Sequence, residues 1–232
     1  MLYVLPVEAG DNHRYGDGLA VIRELNAHNR HGLIAVMPRF ETDPWYGNHA
    51  GNPRRQYEDA FVKSVVPDVD RRYPTIAGAE GRLLLGFSKS GWGAFTLILR
   101  NPDVFGYAAS WDAPLMMSEK QFGVWRTDET FGTAENMAHY LPNRLFEERA
   151  GSFRNRTRLV LAGKKSFGTN SDKRFPYDGP SHTEAAHARL EALGIPHRYD
   201  AGLIVEHSWN AGWVAPVLEM LLEVASGNKS DK

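Results

Sequence analysis

The chain has 232 residues, of which 42% are hydrophobic and 24% charged, the profile of an ordinary globule with one full-sized core. A net charge of −1 supplies no field for nucleic acid or an anionic membrane, and no apolar run approaches the roughly 18 residues needed to span a bilayer. The absence of cysteine removes disulfides, zinc–thiolate sites and cysteine nucleophiles together.

In chain order, residues 2–7 read as a first strand and 16–26 as a short helix with Leu19, Ile22 and Leu25 on one face. The N-terminus carries no basic segment ahead of its apolar stretch, so no signal peptide is expected and the visible sequence reads as cytoplasmic. Residues 33–37 form a second buried strand closed by Pro38, followed by a loop over 41–53 rich in aromatics and glycine. Residues 54–66 are helical, with Tyr57, Ala60, Phe61 and Val65 at helical spacing. A third strand over 81–87 leads into a helix over 90–100, which Asn101-Pro102 ends. Strands follow at 107–111 and 158–162, with a largely helical insertion over 116–153 between them. The pattern closes with a helix over 181–193, a strand over 197–203 and a helix over 212–225. Alternating strands and helices predict a single α/β domain over residues 1–225, with a mainly parallel sheet of about six strands between two helical layers and a disordered tail over 226–232.

Gly86-Phe87-Ser88-Lys89-Ser90 lies directly behind the apolar run Leu83-Leu84-Leu85. A G-x-S-x-small turn between a buried strand and a helix is a nucleophile elbow, whose tight backbone requires small residues two places either side of the serine. Gly86 and Ser90 meet that requirement for Ser88, whereas Trp92 would clash if Ser90 were the nucleophile. The bland alternative, a Gly/Ser-rich turn without chemistry, stands against the apolar strand before it and the small residues Gly91, Gly93 and Ala94 after it.

A serine nucleophile needs a base, an acid to orient the base and two N–H groups for the oxyanion, and in an open α/β sheet these gather just beyond the strands' carboxyl ends. Of nine histidines, His207 follows the last strand and comes after the serine and both acid candidates. His182 and His187, five apart on a helix, are poorly spaced for a shared metal. Asp112 immediately follows the strand over 107–111 and is favoured as the acid; it could instead cap a turn before Pro114. Asp172 is the alternative acid, being the first carboxylate after the strand over 158–162. Backbone N–H groups of Lys89 and Glu8 are the expected oxyanion donors. Trp45, Tyr46 and Trp209 could wall a substrate or pack the body, and His49 could contact substrate.

These residues resemble the α/β-hydrolase superfamily, in particular the esterase D-like branch that includes feruloyl and acetyl-xylan esterases. The likeness rests on residues 2–5 and 33–38, on the elbow, helix and Pro102-Asp103-Val104-Phe105 turn, and on the His207-Ser208-Trp209 loop. Three positions depart from that branch: Pro6-Val7 replaces the histidine–glycine pair of the oxyanion loop, Ser90 replaces the elbow's second glycine, and the usual acid position is empty. The chain also starts at what matches the family's third strand, as a minimal fold or one whose N-terminal part, with any targeting signal, is missing.

The resemblance implies a serine hydrolase cleaving a small-molecule or carbohydrate-linked ester, with no metal or organic cofactor. The alternatives are a catalytically impaired binding protein of the same fold, or a peptidase or thioesterase on the same triad. Oligomeric state is left open.

Overall fold

The structure, a computed structural model, describes residues 1–163 and 181–227. Among these residues, six parallel strands form one sheet: β1 (Leu2–Val4), β2 (Ala35–Val36), β3 (Leu83–Phe87), β4 (Tyr107–Trp111), β5 (Leu159–Ala162) and β6 (His197–Asp200), in the spatial order β2-β1-β3-β4-β5-β6. Because side chains alternate across a strand, the strands β1, β3, β4 and β5 feed two cores. Tyr3, Leu84, Ala108, Leu159 and Leu161 face the side covered by the Ser88–Arg100 helix. Leu2, Val4, Leu83, Leu85, Trp111 and Val160 face the side covered by the Val214–Gly227 helix, through Val217, Leu218 and Leu221. A third cluster joins Trp45 and Trp92 to Met117, Phe131, Met137 and Leu141 of the insertion between β4 and β5, which consists of short helices from Glu119 to Phe153.

Several boundaries differ from the expectations, each for a local reason. β1 stops at Val4, although Leu5 N–H still reaches Leu85 O, and Pro6 has no N–H with which to continue the ladder. β6 stops at Asp200, whose carboxylate accepts Gly202 N–H at 2.7 Å in a side-chain-closed turn. The helix expected to end before Pro67 runs on as Tyr57–Ala60, a π-helical turn Phe61–Val65 and Val66–Arg72. Pro67 cannot donate to the preceding turn, and the widened π geometry accommodates it without breaking the helix. The last helix reaches Gly227, two residues into the segment expected to be disordered; residues 228–232 lie outside the described ones.

One buried ion pair ties the Tyr57–Ala60 helix to the end of the Ser88–Arg100 helix. Arg100 donates to both Glu58 oxygens, at 2.9 and 3.0 Å, and Asn101 adds a third bond at 2.8 Å. The Glu58 side chain is only 6% exposed; removing it takes three hydrogen bonds, leaving Arg100, at 26%, with His139 O and some water, and the Asn101 amide with Leu97 O. Glu58→Ala should therefore cost about 2 kcal/mol, below the usual figure for a fully buried pair. Urea unfolding with an unchanged slope and a lowered midpoint checks this.

Candidate active site

The tightest backbone turn of the elbow falls at Ser88, which follows β3 at φ +52°, in the left-handed region that non-glycine residues rarely occupy. Gly86 is required because a Cβ there would lie 2.3 Å from Ser90 O and 2.8 Å from Gly91 N. Ser90 fits in place of glycine because its own side chain serves the turn. Its Oγ donates to Phe87 O at 2.9 Å and accepts Phe87 N–H at 3.1 Å. The helix begins at Ser88, two residues earlier than expected, so Lys89 N–H belongs to the first turn, where amides lack intrahelical partners.

On the next strand, Asp112 follows β4 at φ +45°, with its N–H still donating to Ala162 O at 3.0 Å. Its carboxylate is buried and meets His207 Nδ1 at 2.8 Å. An ionised carboxylate only accepts, so Nδ1 carries the hydrogen and Nε2 is the basic nitrogen of the ring. Three aromatic rings pack against the imidazole: Phe87 at 5.0 Å and Tyr15 at 5.6 Å in edge-on contacts, and Trp111 tilted at 6.0 Å between ring centres. Trp111 is held by a parallel stack on Trp213 at 5.0 Å and by donating to Leu203 O. The loop after β6 thus reaches the end of β4 through an aromatic wall.

Ser88, Lys89 and His207 line one cleft of about 420 Å³ together with Val7, Glu8, Arg14, Tyr15, Asp43, Trp125 and Arg126. Lys89 Nζ lies 3.6 Å from Asp43 and 5.7 Å from the Trp45 ring centre, and burial pushes its ammonium pKa down despite the Asp43 and Glu8 charges. Arg14 pairs with Glu8 at 2.8 Å, and Arg126 donates to both oxygens of Glu129. The cleft wall therefore carries charges of both signs.

The expected aromatic contacts need correction. Trp45, Tyr46 and Trp209 are buried at 1–2% exposure and line no part of this cleft. Trp45 packs edge-on against Trp92, and Trp209 against Phe87. His49 lines a neighbouring cleft of about 290 Å³ that shares Asp43 and Arg126 with the first. The cleft is lined instead by Tyr15 and by Trp125, which is 36% exposed and stacked on Trp45. Of these, Trp125 is the one in the polar insertion, where it sits at φ +50° and no periodicity or motif marks it. Arg14, Tyr15 and Asp43 were likewise missed, being ordinary loop residues in sequence. Asp172 lies outside the described residues.

A parallel sheet with a strained serine between strand and helix, and a histidine–carboxylate pair on loops at the same sheet edge, defines a protein of the α/β-hydrolase fold. Solved structures agree. FphF of Staphylococcus aureus, described as a fluorophosphonate-binding serine hydrolase, superposes with a TM-score of 0.71 at 17% identity, covering 97% of this chain and 82% of that one. A ferulic acid esterase superposes with a TM-score of 0.67 at 16% identity, covering 97% and 84%. The family model described as "Putative esterase" matches residues 20–224, and the chain belongs to that family. Among curated proteins, Esterase Rv1288 of Mycobacterium tuberculosis (strain ATCC 25618 / H37Rv) is 26% identical over 197 residues, covering 76% of this chain. The chain spans only 41% of that relative's length.

Proposed function

We propose that this protein is a serine esterase that cleaves a small-molecule carboxylic ester through Ser88, His207 and Asp112. The observation that carries the reading is the 2.8 Å bond from His207 Nδ1 to the buried Asp112 carboxylate, in a loop whose imidazole shares a cleft with Ser88. In this scheme Ser88 Oγ attacks the acyl carbon while its proton passes to His207 Nε2. The carbonyl oxygen becomes an oxyanion, received by the N–H groups of Lys89 and Glu8. Collapse expels the alcohol, which takes its proton from His207 and leaves an acyl-enzyme at Ser88. Water then repeats the sequence with the same base and releases the acid. Asp112 stays ionised throughout and stabilises the imidazolium. The scheme calls for no metal or organic cofactor.

Support also comes from the family and from how the elbow accommodates its departures. Ser90 satisfies the turn that a glycine would otherwise relax, and Asp112 supplies the acid from β4 in place of the usual position. The experiment is fluorophosphonate labelling followed by peptide mapping, with turnover of a panel of acyl esters and thioesters. The label should fall on Ser88 and vanish in Ser88→Ala together with ester turnover. A label on another residue, or turnover undiminished in the variant, would rule the assignment out.

A further inference from the structure

Residues 5–10 run along the edge of the Ser88 cleft, and three hydrogen bonds hold them. Leu5 N–H donates to Leu85 O on β3 at 2.9 Å, and Gly10 N–H donates to Phe40 O at 2.8 Å. Between these, the Tyr46 hydroxyl donates to Pro6 O at 2.5 Å. Proline offers no N–H, so this carbonyl is the one backbone group through which residue 6 can be tethered.

Tyr46 comes from the loop after β2, which lies on the opposite side of β1 from β3. It does not line the cleft, whereas Val7 and Glu8 do. The Pro6–Val7 peptide is trans, so its carbonyl and its N–H point in opposite directions. A carbonyl held toward Tyr46 turns the Val7 N–H away from the phenol, on a stretch where Val7 and Glu8 line the same cleft as Ser88. Among the described residues, neither Val7 N–H nor Glu8 N–H donates to another protein group.

The surroundings are built to keep this tyrosine in place. Its backbone sits at φ +48°, a conformation that costs energy outside glycine. Its ring lies directly on Gly93 of the elbow helix, where a Cβ would come within 2.1 Å of it. Phe40, whose carbonyl holds Gly10, packs edge-on against the same ring at 5.4 Å. Burial pushes the phenol pKa well above its ordinary value, so the hydroxyl keeps its proton and remains a donor.

We propose that Tyr46 is a positioning residue for the oxyanion loop: its hydroxyl fixes the Pro6–Val7 peptide so that the amides following it face Ser88. The assignment rests on the serine-esterase reading above. It also gives Gly93 a function, since any side chain there would displace the ring that sets the loop.

Tyr46→Phe keeps the ring on Gly93 and Phe40 and removes only the donor. An oxyanion forms after substrate has bound, so the loss belongs to the transition state. With a short-chain aryl ester, kcat should fall about 10-fold while KM stays within about twofold. Affinity for an alkyl boronic acid, which forms a tetrahedral adduct with the serine, should fall by a similar factor. Gly93→Ala, which shifts the ring and leaves the hydroxyl, should reproduce the split, and it carries the test should the first variant fail to fold. An unchanged kcat, or a loss confined to KM, overturns the assignment while the esterase reading stands. Wild-type protein that neither turns over esters nor labels at Ser88 overturns the esterase reading, and this assignment with it.

Discussion

Asp112→Asn should lower kcat on a short-chain aryl ester by about 10⁴-fold, with the fold intact. The carboxylate accepts the hydrogen on His207 Nδ1 at 2.8 Å and so leaves Nε2 basic. An amide of the same shape can present its NH₂ to Nδ1 instead, which moves the ring hydrogen to Nε2 and removes the base. It also withdraws the negative charge that stabilises the imidazolium, in a site walled by Phe87, Tyr15 and Trp111, where water screens little. Asp172→Asn, made in parallel, should leave kcat within about twofold, because the acid's place beside Nδ1 is already taken. Steady-state kinetics on both variants decide between the two carboxylates. A mild effect at Asp112 with a large one at Asp172 would reverse the assignment.

Acid should destabilise the protein in part through His182, whose contribution can be isolated by substitution. This imidazole is buried beside the start of the insertion, and Met116 N–H donates to its Nδ1 at 2.9 Å. Burial lowers its pKa to about 3, and the bond to Nδ1 works in the same direction because a protonated ring could not accept it. The sign follows from proton binding. Below about pH 6.5 the unfolded chain takes up a proton at this residue that the folded chain refuses. The stabilisation is therefore complete above that pH, declines as the pH falls, and is exhausted near pH 3. The full span amounts to something on the order of 5 kcal/mol, of which about 2–3 kcal/mol is gone by about pH 4.5. His182→Asn offers an amide oxygen to Met116 N–H and does not titrate. Urea unfolding at about pH 7.5 and 4.5 should show the variant losing about 2–3 kcal/mol less than wild type between the two. Equal losses would mean that other groups carry the acid sensitivity.

Much of the candidate site could be read from residue order. An elbow is local: Gly86, Ser88 and Ser90 are set by sterics over five residues, and the apolar run before them marks a buried strand wherever it sits in the sheet. His207 and Asp112 were singled out by a topological argument, since groups just beyond the carboxyl ends of parallel strands share one edge. The structure places both there and in contact. Aromatic residues were harder, because a ring in a loop carries no label for which surface it meets. Trp45 and Trp209 turned inward to pack, Tyr46 turned to the Pro6 carbonyl behind the cleft, and Trp125 took a place at the cleft.

The sequence by itself determined the order of strands and helices, the serine at the turn and the pool of acids and bases that could serve it. Those features depend on side-chain size, periodicity and chain order within short stretches. Tertiary structure alone decided which loops meet: that the β4 loop carries a carboxylate to the β6 loop's imidazole, and that Tyr46 reaches Pro6 across 40 residues of chain. Such contacts follow from how the sheet is ordered and how closely the Ser88–Arg100 helix packs at Gly93, and distances between loops far apart in sequence are fixed only when the whole core closes.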